Sequence, residues 1–558
     1  MSIESKVTDS QKKEGVHFTP PELAIFVADQ MLKAKPIGER GPISILDPSI
    51  GEGELIIAFL SRIPFSLLSH VRVVGYDINE KLLQTASIRI RKSFPQVSLA
   101  ISSSSFLDNE DSQFCPRAAL NRKRFDYIIA NPPYIRTQVL GAKNAQKLSR
   151  QWELSGRIDA YQAFMLAIYD RMKKDCIAGF ITSNRFMTIK GCGDFRASLR
   201  KKYSFISVWD FGDTALFKSA VLPAVTIFSK YSPNVRHTDF HSIYLSRKKQ
   251  ELIDALADTP IDAIQKSDNV KTKNGLCYFV RSGELVSKNP NDVWRLSDTV
   301  SSKWLSSVLK HSKYRFKDIA KVRVGVKTTA DKVFIHDEWQ KETGVNPELL
   351  LPLVTHKVAA CFRRIKEIKT KILYTHYMKN GKRTVYDLDK YPISKQYLLA
   401  NYEQLSARSY IAKAHRNWYE IWVPQNPGLW ASLKIVFRDI TEHPCFWMEE
   451  ESVVINGDCY WMTLDSNHFS EDILWLMLAI ANSSFIEQFY DCCFNNKLYS
   501  NKRRFISQYV EQFPVPDPES EIAKKIITKT KNIFQMGLTE SKKQEIDALV
   551  YSAFGVSL

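Results

Sequence analysis

The stretch with the most distinctive chemistry is Asn131-Pro132-Pro133-Tyr134, which directly follows the apolar run Tyr127 to Ala130. The run predicts a buried strand, and two prolines cannot continue a strand's hydrogen-bond ladder. We therefore expect a rigid loop at the C-terminal end of a strand. That loop would present a side-chain amide, the carbonyl of Pro132 and the ring of Tyr134. Two acceptors beside a stacking surface suit a planar amino group that is to be held and made to react.

A second element is the glycine-bearing turn Asp47-Pro48-Ser49-Ile50-Gly51-Glu52-Gly53, which joins a short predicted strand to a helix. Gly51 and Gly53 allow a sharp turn and the close approach of a ligand to the backbone. Ordinary turns also contain Gly-x-Gly, so the turn by itself leaves both interpretations open.

Asp77 follows the next predicted strand, 71–76. A carboxylate at this place binds ribose hydroxyls in dinucleotide-binding folds. The alternative is that Asp77 caps the helix predicted over 80–93. Near the start of the chain, Thr19 and Pro20 open the first helix, with Thr19 as the expected N-cap and Pro20 at the first helical position.

The elements that carry these residues alternate between strands and helices from about residue 43 to 230. This alternation predicts an α/β fold with a largely parallel sheet and a site at the C-terminal ends of its strands. The sixth and seventh predicted strands, 206–211 and 224–228, have no helix between them, so we expect them to pair antiparallel. Beyond about residue 235 the regular alternation stops.

Charge and length point to a large protein with a polyanionic partner. The chain has 558 residues, a net charge of +18 and a pI near 9.3, which predict two or three domains and a partner such as nucleic acid. A generally basic surface without such a partner is the alternative. The second half contains a stretch that mixes cations with aromatic rings and suits phosphate contacts and base stacking. Its members are Tyr410, Lys413, His415, Arg416, Trp418, Tyr419, Trp422, Trp430, Lys434, Arg438 and Trp447. They could equally form a core with a basic rim.

Other classes of protein receive no support from the sequence. The nine cysteines show no zinc-ligand spacing, so we expect reduced thiols and no metal. The polar N-terminus does not resemble a signal peptide, and the longest apolar run, Ile473 to Ala481, is too short to cross a bilayer.

Taken in order along the chain, these elements resemble the gamma-class (TaqI-type) S-adenosylmethionine-dependent DNA adenine methyltransferases, with clear similarity over about 15–230. The resemblance implies a class I methyltransferase fold, a seven-stranded mixed sheet with helices on both faces, plus a C-terminal α+β target-recognition domain. It implies that the cofactor S-adenosyl-L-methionine is surrounded by Thr19, Pro20, Asp47, Ser49, Gly51, Gly53, Asp77 and Phe106. It further implies that Asn131, Pro132 and Tyr134 hold a flipped adenine, and that Phe217 helps to pack that base.

Three positions depart from the pattern of this family. Ile50 stands where a small residue is usual, and Glu52 adds a charge to the glycine turn. Ser105 replaces the acid that commonly precedes the phenylalanine at position 106, and Asp108 is the nearby candidate to substitute for it.

We therefore expect a site-specific DNA methyltransferase that modifies the 6-amino group of adenine in double-stranded DNA. The expected parts are a flexible N-terminal arm (1–14), a catalytic domain (15–240), a connecting region (241–310) and a DNA target-recognition domain (311–558). A monomer in a bacterial or archaeal cytoplasm, near the nucleoid and without a membrane, is expected, with a restriction endonuclease as a possible partner. The alternatives are a defence system with a fused or partner nuclease, an RNA or protein-glutamine methyltransferase, and a non-catalytic DNA-binding module.

Overall fold

The chain divides into two compact units, one ending at residue 298 and the other beginning at residue 299. A computed structural model describes residues 18–38, 41–107, 123–134, 146, 149–150, 152, 154, 158–217, 222–235, 237–246, 253–287, 289–297, 299–365, 367–465, 468–494 and 502–557. The predicted N-terminal arm, 1–14, lies outside these residues.

The first unit is built on one large sheet flanked by helices. Its strands are β1 (Ile43–Asp47), β2 (Val71–Tyr76), β3 (Ser98–Ser102), β4 (Phe125–Ala130), β5 (Met172–Ser183), β6 (Tyr203–Asp210), β7 (Pro223–Lys230), β8 (Asp239–Leu245), β9 (Ala255–Ala257), β10 (Asp268–Thr272), β11 (Cys277–Val286) and β12 (Arg295–Ser297). Its helices are α1 (Pro21–Ala34), α2 (Glu54–Leu60), α3 (Glu80–Ser93), α4 (Ala160–Ala167), α5 (Arg185–Thr188), α6 (Gly193–Lys202) and α7 (Pro260–Ala263).

The first seven strands of this sheet lie in the order β3-β2-β1-β4-β5-β7-β6. The first five of these strands pair in parallel. β7 lies antiparallel between β5 and β6, which confirms the pairing predicted for the sixth and seventh strands. Parallel strands place their C-terminal ends at one edge, so the loops after β1, β2 and β4 lie on the same side of the sheet.

Helices cover both faces of the sheet, as expected. In β4, Ile129 packs into the apolar cluster that contains the inner faces of α1, α2 and α3. Its neighbour Ile128 packs into a second cluster, which contains α4 and part of α6. Successive side chains of a strand point to opposite faces of the sheet. The consecutive apolar residues Ile128 and Ile129 are therefore both buried because helices cover the sheet on both sides.

The sheet extends further than the sequence predicted. β8 joins β6 in parallel, and β11, β10 and β9 follow, with β12 paired to β11. Most of the region expected to connect two domains (241–310) thus continues the sheet of the first unit. The fifth strand, β5, begins at Met172, and its Lys173 forms an ion pair of 2.7 Å with Asp126 of β4.

The second unit combines small sheets with a group of helices. Its strands are β13 (Tyr314–Arg315), β14 (Ala320–Val324), β15 (Ile335–His336), β16 (Leu350–Val354), β17 (Lys371–Leu373), β18 (His376–Lys379), β19 (Lys382–Val385), β20 (Lys434–Arg438), β21 (Ile440–Thr441), β22 (Phe446–Glu449), β23 (Val454–Ile455), β24 (Cys459–Leu464), β25 (Arg503–Arg504) and β26 (Pro514–Val515). Its helices are α8 (Thr299–Lys310), α9 (Phe316–Ile319), α10 (Asp331–Phe334), α11 (Trp339–Thr343), α12 (Pro392–Ala400), α13 (Tyr402–Ser406), α14 (Ser409–Lys413), α15 (Asp472–Asn482), α16 (Ser484–Phe494), α17 (Ser507–Val510), α18 (Glu521–Met536) and α19 (Glu540–Ala553).

Two apolar cores hold this α+β unit together. Helix α15 is the centre of one, since every residue from Ile473 to Asn482 is buried. The other surrounds Trp447 and Trp461, which are fully buried. No single helix among the described residues is long and apolar enough to cross a membrane; α15 and α16 reach that length and composition only as a pair bent by 72°.

Candidate active site

The Asn131 loop leaves β4 at the sheet edge where the strand C-termini lie. Pro132 is buried and Asn131 is half-buried. The Asn131 amide Nδ2 donates a hydrogen bond of 3.0 Å to the hydroxyl oxygen of Thr19. This bond turns the amide so that Oδ1 lies at the end away from Thr19.

The role of Thr19 therefore differs from the N-cap that the sequence predicted. Helix α1 begins at Pro21, its N-cap position is Pro20, and no side chain caps it. Two prolines supply the backbone geometry of a helix start without a capping side chain. The Thr19 hydroxyl instead accepts the bond from Asn131, which links the first helix to the fourth strand.

The glycine turn is fixed by the carboxylate at the end of β2. Asp77 Oδ2 accepts from the backbone N–H of Gly51 at 3.0 Å, and Oδ1 accepts from that of Asn79 at 2.9 Å. Gly51 and Gly53 have φ angles of +50° and +83°, which side chains other than glycine rarely adopt. Asn79, not Asp77, is the N-cap of α3. Asp77 is thus a support for the turn, with carboxylate lone pairs left for a ligand.

Asp47, at the end of β1, lies beneath this turn and is buried. Its Oδ1 accepts from the backbone N–H of Ser49 at 2.9 Å. Burial is the main reason that the pKa of Asp47 rises to about 8, with the charge of Asp77 adding to the effect. Asp47 Oδ2 and the Ser49 hydroxyl are buried with no hydrogen-bond partner among the described residues. They form a polar floor that a donor could satisfy.

The unusual Ile50 of the turn is accommodated by its surroundings. Ile50 is buried, and a Cβ added to Gly75 in β2 would lie only 2.5 Å from its Cδ1. The missing side chain at Gly75 therefore makes the room that Ile50 fills. At Glu52, Arg89 donates to the backbone carbonyl at 2.9 Å and also pairs with Glu54 at 2.6 Å.

These loops enclose a cavity of about 790 Å³ in the first unit. The predicted site residues that line it are Thr19, Ser49, Gly51, Asp77, Phe106, Asn131, Pro132 and Tyr134. Pro20, Asp47, Gly53 and Phe217 do not line it, although Asp47 and Gly53 hold its glycine turn. Ser105 lines the cavity, whereas Asp108 lies outside the described residues.

Phe106 forms part of an aromatic wall. Its ring lies 5.5 Å from that of Tyr76 and 6.1 Å from that of Phe164, in a nearly parallel stack with the latter. Only 1% of Phe106 is exposed, so just its rim reaches the cavity.

A pair of aromatic rings lies beside the Asn131 loop. The Tyr134 and Phe217 centroids are 6.3 Å apart, with the ring planes at 69°. Phe217 is buried, and desolvation of the phenol raises the pKa of Tyr134 well above its usual range. The structure thus brings the two predicted base-packing residues into one edge-to-face contact.

The sequence reasoning missed several residues of the cavity. Phe18, Ile78, Lys81, Leu107 and Phe164 contribute to its lining. Phe18 and Ile78 are adjacent to Thr19 and Asp77, and both are largely exposed. The signal available in the sequence was an apolar residue directly next to each of these predicted polar contacts. Phe164 offered none, since it belongs to a helix that is buried all round.

The aromatic and cationic stretch of the second unit divides into core and surface. Trp430, Lys434 and Trp447 are buried, so the interpretation of those three as DNA contacts is wrong. Lys434 donates to three backbone carbonyls at 2.8–2.9 Å, and burial lowers its pKa to about 8. Lys413 and His415 are exposed.

Next to those exposed residues, Arg416 lies 5.1 Å from the centre of the Trp422 ring and donates to the Trp422 carbonyl at 2.8 Å. Tyr410 contacts the same ring, with centroids 4.9 Å apart. This cationic and aromatic surface belongs to the segment that the sequence singled out.

Comparisons with known proteins agree with this arrangement. Residues 64–217 match the Eco57I restriction-modification methylase family, and residues 384–515 match the TaqI-like C-terminal specificity domain. The chain is 33% identical to "Type II methyltransferase M.BanIII" of Aneurinibacillus aneurinilyticus, over 98% of both chains. It is 22% identical to "Type II methyltransferase M.PaeR7I" of Pseudomonas aeruginosa, over 90% of this chain and 86% of the other. Among solved structures, a DrdV–DNA complex has a similar fold, with a TM-score of 0.52, 13% identity, and coverage of 95% of this chain and 58% of that one.

Proposed function

Since the chain belongs to the TaqI-type methyltransferases of type II restriction-modification systems, we propose that the atom it methylates is the 6-amino nitrogen of adenine in duplex DNA. Its cofactor is S-adenosylmethionine and its partner is DNA. The observation that carries the choice of atom is the Asn131 amide, fixed by Thr19 on a proline-locked loop at the edge of the cavity.

The cavity suits the cofactor in size and in the chemistry of its walls. S-adenosylmethionine supplies a methyl group on a positively charged sulfur. Asp77 has lone pairs for ribose hydroxyls, and the rims of Phe106 and Ile78 offer apolar surface to a purine. The buried Ser49 hydroxyl lines the cavity and has no hydrogen-bond partner among the described residues, so it would pair with a polar group of the cofactor such as its ammonium group.

Asn131 and Pro132 would act on the amino group that receives the methyl. The lone pair of a 6-amino group is delocalised into the ring, which makes it a poor nucleophile. Asn131 Oδ1 and the Pro132 carbonyl can accept its two hydrogens and favour a pyramidal nitrogen with an available lone pair. The loop thus contributes by alignment and by electrostatics, and the released proton can pass to solvent after transfer.

The target base must leave the duplex to reach this loop, at a cost of a few kcal/mol. Tyr134 and Phe217, whose rings are in contact, would pack an extruded base next to Asn131. Stacking is worth about 1–3 kcal/mol per base, enough to offset much of that cost.

The second unit would bind the duplex. Lys413 and Arg416 are cations on a surface with aromatic rings, beside the exposed His415, and cations of this kind contact phosphates. We further infer that residues up to 298 form the catalytic part, and that the protein acts as a cytoplasmic monomer with a separate endonuclease.

Nucleoside mass spectrometry of methylated DNA tests the proposal. The purified protein, cofactor and unmethylated plasmid should yield N6-methyladenine and no N4-methylcytosine. Asn131→Ala should lower the yield about 10²–10³-fold, whereas the cofactor should still bind in a calorimetric titration. Asn234→Ala, in an exposed turn of the same unit, is the matched control and should be fully active. N4-methylcytosine as the product, or full activity of Asn131→Ala, would overturn the proposal.

A further inference from the structure

A buried carboxylate lies at the end of β6, where the segment that leads to Phe217 begins. Asp210, the last residue of β6, is 1% exposed. Its Oδ1 accepts from Asn184 Nδ2 at 2.9 Å and from the backbone N–H of Gly212 at 3.1 Å. Its Oδ2 accepts from the Tyr244 hydroxyl at 2.7 Å. Asn184 follows β5, and its backbone N–H donates to the carbonyl of Leu222, next to the start of β7.

The segment after Asp210 is packed tightly against β8, a strand outside the seven-stranded part of the sheet. Gly212 has a φ of +44°, and a Cβ there would lie 2.5 Å from the Ile243 carbonyl and 2.7 Å from the Tyr244 ring. Asp213 accepts from the backbone N–H of Leu245 at 2.8 Å. β8 therefore fixes the path of the chain from Asp210 toward Phe217.

The chain between Asp210 and Phe217 contains no helix or strand, so its position depends on side-chain and turn contacts. Thr214 adds one more, since its hydroxyl donates to the Phe211 carbonyl at 2.8 Å. The aromatic ring at the end of this segment is the one that contacts Tyr134.

We propose that Asp210 and Tyr244 are positioning residues for methyl transfer, which hold the segment 211–217 so that Phe217 packs the extruded base against Tyr134. The inference rests on the proposed function, because it takes Phe217 to be a base-packing residue. It also gives β8 a role in methyl transfer, because this strand carries the Tyr244 hydroxyl that donates to Asp210.

Three substitutions test the hydrogen bonds around Asp210: two remove them, and one keeps them while replacing the carboxyl group. Tyr244→Phe removes the donor to Oδ2 and leaves the buried Asp210 carboxyl without that bond. Asp210→Ala removes all three acceptor contacts. Asp210→Asn retains them, because an asparagine oxygen can accept from Asn184 and Gly212 while its amide donates to the Tyr244 hydroxyl. Tyr231→Phe, at a tyrosine that is 62% exposed, is the control.

The readout is fluorescence of 2-aminopurine at the target adenine of a duplex, alongside single-turnover methylation and cofactor affinity. The duplex carries the context that sequencing of methylated DNA defines. We expect Tyr244→Phe and Asp210→Ala to reduce both the fluorescence increase and the transfer rate about tenfold or more. The cofactor dissociation constant should change less than about twofold, and Asp210→Asn should behave like the unmodified protein.

Equal losses of cofactor affinity and base extrusion would overturn the inference, since they would indicate a general structural role. So would full fluorescence and transfer in Asp210→Ala. Phe217→Ala distinguishes this failure from failure of the proposed function. If Phe217→Ala extrudes the base normally, the base-packing role itself is wrong. If Phe217→Ala is impaired while the Asp210 and Tyr244 variants are normal, only the positioning inference fails.

Discussion

Replacing Gly75 with alanine should destabilise the glycine turn and weaken cofactor binding, because the turn rests on the bare backbone of this residue. The added Cβ would lie 2.5 Å from Ile50 Cδ1, and 3.2 and 3.3 Å from Ile50 Cβ and Cγ2. Ile50 is 4% exposed, so its side chain cannot swing into solvent without leaving the core. Overpacking of this kind costs about 1–3 kcal/mol. Because Ile50 moves with Gly51, the Gly51–Asp77 hydrogen bond of 3.0 Å should lengthen.

A double-mutant cycle with Ile50→Val isolates that contact. Valine lacks Cδ1, the atom that the alanine Cβ would strike, and Ile→Val by itself should cost about 0.5–1.5 kcal/mol. In the double variant the closest contact disappears and only the 3.2–3.3 Å contacts remain. The double variant should therefore be no less stable than Gly75→Ala alone. Urea unfolding of all four proteins gives the coupling energy, and calorimetry gives the cofactor affinity of each.

Additive losses, within about 0.5 kcal/mol, would refute this reasoning, because independent sites add. Gly191→Ala is the control for the glycine substitution, since a Cβ there meets nothing within 4 Å. Normal stability and normal cofactor affinity in Gly75→Ala would show that the position of Ile50 does not depend on the absence of a side chain at Gly75.

The remaining predictions concern individual side chains of the site. Tyr134→Ala should lose at least about tenfold in transfer rate through lost stacking, whereas Tyr134→Phe should keep most of it; equal losses would contradict a stacking role. Thr19→Val should reduce transfer about tenfold because the Asn131 amide loses its acceptor, and Thr19→Ser should restore it; equal activity of the two would show that the hydroxyl is dispensable. The Asp47 pKa is near 8 in the folded protein and 3.8 in the reference state. Folding thus takes up a proton between these values, and the free energy of unfolding falls as pH rises from about 4 to 8, by up to about 1.4 kcal/mol per pH unit. Asp47→Asn keeps the acceptor for Ser49 and should remove that contribution. In urea unfolding, the stability of the variant minus that of the unmodified protein should therefore rise from about pH 4 to about pH 8. A difference that stays constant over this range would contradict the raised pKa.

Much of the catalytic fold could be predicted because its strands are buried on both faces. Apolar runs bounded by turn residues located β1 to β7, and the helix predicted over 80–93 is α3, Glu80–Ser93. The strands β8 to β12 escaped prediction because their burial is uneven, so they lack continuous apolar runs. β9, for example, has only three residues and exposes Leu256, so its sequence contains no apolar run that would predict a strand.

The chemistry of the site was easier to predict than its supports. Asn131 and the glycine turn are recognisable from residue types and local spacing. The hydrogen bond between Asn131 and Thr19 joins positions 112 residues apart, and local spacing cannot show it. The fit of Ile50 over Gly75 likewise depends on strand packing. Composition alone also could not tell Lys434, a buried cation satisfied by carbonyls, from the exposed Lys413.

Long-read sequencing that detects modified bases, applied to DNA from cells expressing the protein, is the most direct test of the central claim. We expect N6-methylation of one adenine in a fixed sequence context, and its absence in cells expressing Asn131→Ala at the same level. Methylated cytosine in place of adenine, or unchanged adenine methylation with Asn131→Ala, would contradict it.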